Sequence, residues 1–353
     1  MTSWGNRAAV GDSLVLSGQV AMLAREIGIS TPDVGHDNPS WEEWVEQEER
    51  RRTLWVAYVQ FNLQCIAFNV PPMILNQEVL CGEEWKVRNS QDWMRMRSFH
   101  TPDSRNFQQV LGQLLQGRQI HKSNAISAFA NYVLIHGLFQ EIFFARNTAS
   151  LVEPTGSLQV GFVQTMESAL RAWQNSWEAT YESTLDPLSP RGPMGFNATA
   201  LVRLAYIRLN ANTGPYRQLS SRDPQGIAHE LLDGRFAVYE RSPFLDRAVL
   251  QCIHALSIPD IARCIETSSA QTLRDDERKL LNMVYHIFRE ADLTELSFWA
   301  DDNADAVRHL AACTARLWAD IFQGFHTYEV SRVVAEGLAI IADTLDAPLE
   351  THI

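Results

Sequence analysis

Asp301, Asp302 and Asp305, in the run DDNAD (301–305), are the carboxylates in this chain best spaced for chemistry. On a helix, residues three and four apart share one face. Carboxylates so placed can hold magnesium, a hard cation that prefers oxygen, against a diphosphate. The same residues can also simply start a helix, with Asp301 or Asp302 capping free N–H groups and Asp305 lying favourably in the helix dipole. Only 48 residues follow Asp305, and no second Asn/Ser/Glu metal motif stands among them, so the helix start is the stronger reading. HELLD (229–233) is one residue short of a zinc-protease pattern: His229 and Glu230 are in place, but Asp233 replaces the second histidine. With no source for a third ligand, it reads as a turn of an amphipathic helix.

The remaining reactive residues are dispersed. Five cysteines, Cys65, Cys81, Cys252, Cys264 and Cys313, never come closer than the twelve residues between Cys252 and Cys264. Zinc modules draw on cysteines two to four apart, so no such module is expected, and an odd scattered set argues for a reducing compartment. There is no G-x-S-x-G elbow, phosphate-binding glycine loop or dinucleotide fingerprint. Catalytic, cofactor-binding and metal-ligating residues are therefore assigned as none, and the chain is read as a non-enzyme. The net charge of −12, from 42 acidic and 30 basic side chains, disfavours broad contact with nucleic acid. The first residues, MTSWGNRAAVGDSL, show no secretory signal, and charged or amide residues interrupt the apolar runs. These features predict a soluble, intracellular protein with no membrane partner.

The elements that must position any site are helices. At 46% hydrophobic and 20% charged residues, the 353-residue chain has the composition of a globular protein. Leu54, Tyr58, Phe61, Cys65 and Phe68 step by four and three, and Trp55, Val59, Asn62 and Ile66 run beside them. Two adjacent stripes leave little polar surface, so this helix is expected to be buried on most sides. Further helices are predicted at about 14–28, 104–118, 122–146, 157–182, 196–211, 224–239, 244–265, 276–290, 302–324 and 326–345. Proline-, glycine- and aspartate-rich stretches separate them, including STPDVGHDNPS (30–40), NVPPM (69–73) and LDPLSPRGP (185–193). The fold class is all-α: a multi-helix bundle of ten or more helices with no sheet of consequence.

Arg50, Arg51 and Arg52 stand between an acidic turn and that apolar helix. Glu48 precedes Arg52 by four residues and Glu49 by three, the favourable order for surface pairs. The segment 44–53 thus reads as the solvated first turns of a helix whose remainder is buried.

In order along the chain, these residues resemble the regulatory middle homology domain of fungal zinc-finger transcription factors. AMLAREIGI (21–29) matches a helix ending in A-x-x-L-A-x-x-L-G-L. Glu48 and Arg50 to Trp55 match the arginine phrase, Pro71 and Pro72 the proline loop, and Glu83, Glu84, Trp85 and Trp93 the closing acidic segment. Leading tryptophans such as Trp41 and Trp44 are closest to members with paired two-Cys-two-His fingers. Asn62 stands where the pattern has an aspartate, and Leu80-Cys81 where it often has Leu-Pro. The motif core covers residues 14–95.

The resemblance implies an N-terminally truncated regulatory domain over 1–150, with 151–353 as the C-terminal helical part of the same all-α unit. Its structural motif residues are Trp44, Glu48, Arg50, Arg51, Arg52, Trp55, Pro71, Pro72 and Trp85. It implies a nuclear effector domain controlling RNA polymerase II transcription, with co-regulators or a small-molecule inducer as partners and a homodimer compatible. DNA contact, and the family's zinc, would belong to an absent upstream module or a partner. The alternative is an all-α, magnesium-dependent enzyme similar to terpene cyclases, using Asp301, Asp302 and Asp305.

The chain alone is expected not to bind DNA specifically, because its one arginine cluster is flanked by glutamates. Mobility-shift titration at ~150 mM salt, where weak charge contacts are screened, should show no retained complex. A salt-resistant, sequence-dependent shift would contradict this reading.

Overall fold

The computed structural model describes residues 7–32, 40–81, 106–120, 126–152, 157–186, 189–211, 222–232, 251, 279, 304–323 and 329–347. Nine α-helices and one short 3-10 turn stand among them, with no β-strand. The protein is all-helical. The described helices number one fewer than the expected minimum of ten, and the helices predicted at 244–265 and 276–290 lie almost wholly outside the described residues. Two compact units divide the chain, Gly11–Asn212 and Thr213–Ile353 with Met1–Val10.

The unit Gly11–Asn212 holds most of α1 (Arg7–Ile27), then α2 (Trp41–Phe68), the 3-10 turn Asn76–Glu78, α3 (Phe107–Leu115), α4 (Ala128–Val152), α5 (Val160–Ala179) and α6 (Met194–Asn210). The 1–150 boundary drawn from the sequence thus falls inside this unit, because α5 and α6 both pack on α4. α4 is the centre, packed also against α2 and α3. Its length and apolarity would suffice to cross a membrane, contrary to the sequence reading that every apolar run is interrupted too early. Here 72% of its most apolar window is buried inside the fold, which is the position of a core helix.

Local chemistry fixes the helix ends. Ser40 and Glu43 close a capping box at the start of α2: Ser40 Oγ accepts from the Glu43 amide at 3.2 Å, and the Ser40 amide donates to Glu43 Oε2 at 2.8 Å. At its other end Asn69 turns left-handed (φ 56°), and its amide still reaches the Cys65 carbonyl. Asn106 and Gln109 form the same box for α3. The start of α4 departs from the sequence expectation by six residues, 128 instead of about 122, and that of α1 by seven, 7 instead of about 14. The first amides of α4 are satisfied by Ser127 Oγ, which accepts from Ala130, and by the carboxylate of distant Glu182, which accepts from Ala128 at 2.9 Å. Periodicity within the helix carries no trace of a cap supplied from 54 residues away.

The core of this unit is aromatic. Trp55, Tyr58, Phe107 and Trp173 are buried to 2% exposure or less. The Trp55 ring packs on Phe107 at 5.2 Å and edge-on to Tyr58 at 5.8 Å. Both predicted stripes of α2 are buried except for Phe68. α3 meets α4 at Gly137, where a Cβ would lie 3.0 Å from Phe107 and 3.2 Å from Leu111, so a larger residue would push the helices apart.

In the other unit, α7 (Pro224–Leu232), α8 (Ala304–Gln323) and α9 (Glu329–Asp346) enclose a small core of Ala228, Ala312, Ala315, Ile341 and Ala342. α8 and α9 run antiparallel: Arg308, near the start of α8, donates to the carbonyls of Thr344 and Ala347 at the end of α9. Asp346 accepts from Arg316 at 2.8 Å and lies 3.0 Å from His309 Nδ1. Burial alone would raise its carboxyl pKa, but the bonds from Arg316 and His309 outweigh burial and hold it below the ordinary value.

His136 in α4 is fully buried against the edge of Tyr132, with neither ring nitrogen hydrogen-bonded. Burial lowers its pKa to about 3, so the folded protein keeps it neutral while the unfolded chain takes up a proton below about pH 6.5. Because the folded pKa is depressed, stability is full above pH 6.5 and falls as pH drops toward 3, at about 1.4 kcal/mol per pH unit. In His136→Leu, urea titrations between pH 7 and pH 4 should show this acid sensitivity reduced by one proton. Identical pH slopes in the two proteins would refute the assignment.

Candidate functional site

The three consecutive arginines do three different things. Arg50 Nη1 donates to the Ile27 carbonyl at 3.0 Å, closing the C-terminal end of α1. Arg51 is buried, and its Nη1 donates to Glu48 Oε2 at 2.8 Å. Arg52 Nε donates to Glu48 Oε1, also at 2.8 Å, from a half-exposed position. One carboxylate, 5% exposed, is therefore shared by two guanidinium groups. This corrects the expectation that 44–53 is a solvated start: Trp44, Glu48 and Arg51 are buried. The wholly apolar stripes begin at Leu54, but one face of the helix already enters the core at Trp44, nearly three turns earlier. Trp44 stacks on Trp41 at 5.8 Å with 13° between the rings.

The chain leaving α2 is held more firmly than a loop of its composition requires. Pro71 is exposed and Pro72 buried. Arg25 of α1 forks onto Glu78, Nε to Oε2 at 2.7 Å and Nη2 to Oε1 at 2.9 Å, and also donates to the Met73 carbonyl. Burial works against the Glu78 carboxylate, but Arg25 and the Leu75 amide more than compensate and lower its pKa. The Leu80 and Cys81 amides both donate to the Ile29 carbonyl, beyond the end of α1.

Asn76 lies at the centre of this segment, 4% exposed. Its Oδ1 accepts from the Tyr58 hydroxyl at 2.6 Å, and its Nδ2 donates to the Gly137 carbonyl at 3.0 Å and to Glu141 Oε1 at 2.7 Å. Its backbone amide donates to Gln140 Oε1 at 2.7 Å. Gln140 Nε2 donates in turn to the Ile74 carbonyl and to Asn62 Oδ1. Asn62 Nδ2 donates to the Tyr58 carbonyl at 2.9 Å. An aspartate at position 62 would lose that donation and bury a charge, which accounts for the amide. Burial first, and the Glu141 charge second, push the Tyr58 pKa up, so its hydroxyl remains a donor.

Of the residues singled out from the sequence, Trp44, Glu48, Arg51, Trp55 and Pro72 are buried and Arg50, Arg52 and Pro71 are exposed, while Trp85 lies outside the described residues. Sequence reasoning missed Arg25, Glu78, Asn76 and Gln140. Of these only Arg25 sat in a motif already noticed, AMLAREIGI. Asp305 occupies the first turn of α8, whereas Asp301 and Asp302 lie outside the described residues. His229 is exposed on α7 and Glu230 half-buried, with Asp233 undescribed. Among the described residues, no three His, Cys, Asp or Glu side chains converge as metal ligands. Cys65, Cys81 and Cys313 are buried cysteines, too far apart in sequence for a zinc module. The region is a polar latch set in a hydrophobic body, suited to holding a shape.

Residues 212–263 and 260–340 match the family model described as the fungal transcription factor C-terminal domain. The match spans just over a third of the chain and lies downstream of the motif core at 14–95. It supports a fungal transcription factor regulatory domain. No curated protein and no solved structure matches the chain.

Replacing Asn76 by alanine leaves the buried Tyr58 hydroxyl without its acceptor, while the Gly137 carbonyl keeps its bond within α4. Chemical denaturation should show a loss of about 1–3 kcal/mol, the cost of one buried group left unmade. Arg25→Gln, at a position nearly half exposed, should cost no more than about 1 kcal/mol. Equal losses in the two variants would mean that Asn76 does not organise the latch.

Proposed function

We propose that this chain is the effector part of a fungal transcription regulator acting on genes read by RNA polymerase II. The match over 212–340 carries the reading, and it points to regulation in the nucleus and away from catalysis. Two independent features support it. The candidate site is a packing and hydrogen-bonding device with no nucleophile–base pair in it. The net charge of −12 also suits a chain that meets proteins or small molecules better than one lying on phosphates.

The signal in this reading is a co-regulator protein or a small-molecule inducer, and DNA is reached through another module or a partner. The zinc that serves the family's DNA-binding modules has no fitting ligand set among the described residues, so no step here runs through a metal. Mechanistically, a helical body held by a few specific polar anchors resists gradual deformation. A partner that binds one arrangement more tightly therefore shifts populations between discrete states.

A reporter assay tests the proposal. The full chain fused to an unrelated DNA-binding domain should change transcription from the cognate promoter several-fold in a fungal host. Asp305→Asn, on an exposed helix start, should leave that response intact. A flat reporter at matched protein level would overturn the reading.

A further inference from the structure

We draw no further inference here: the strongest candidate, the exposed apolar stripe of Leu16, Val20, Leu23 and Ile27 along α1, is too narrow to make a specific interface by itself, and nothing in the structure shows what covers it.

Discussion

The first unit depends on the satisfaction of Asn76. A segment leaving one core helix and lying against another brings backbone amides and carbonyls into a space without water, where each unmade hydrogen bond costs about 1–3 kcal/mol. One asparagine meets that demand with both ends of its side chain and its own amide, reaching Tyr58 on α2 and Gly137, Gln140 and Glu141 on α4. Hydrophobic packing alone would tolerate small sliding between α2 and α4. The amide network does not, because its donors and acceptors match in only one register.

A second constraint operates at the arginine segment. Glu48 cannot be buried alone, and neither can Arg51; each is admissible because of the other, and Arg52 adds a partner from the solvent side. Arg50 serves a different helix altogether. Arg50 thus turns to α1, while Arg51 and Arg52 both reach back one turn to Glu48. A row of arginines on a helix is consequently a poor sign of a basic patch. Two of the three charges here are engaged by one buried carboxylate.

What the sequence made legible follows from how local each cause is. The two stripes of α2 and the proline loop after Asn69 are written within a few residues of where they act. All-helical architecture was readable for the same reason. The start of α4 was not, because Glu182 supplies its cap from α5's far end. The burial of Glu48 and Arg51 was hidden too, since a paired charge looks in sequence like any surface charge. Asn76 and Gln140 gave no signal, being single polar residues whose role exists only when two distant segments meet. The family match fell on residues 212–340, away from the motifs that suggested a regulatory domain, so the two lines of inference rest on separate parts of the chain.

The apolarity of α4 has a consequence during synthesis. Its partners α2 and α3 precede it on the ribosome, but α5 and α6 follow, and the last of them ends roughly 60 residues after Val152, about 3–12 s later at ordinary elongation rates. Through that interval the nascent chain carries a greasy 25-residue segment only half wrapped. Its length and apolarity alone would suffice to span a membrane. α4 can therefore be covered on all its sides only after α5 and α6 have left the ribosome.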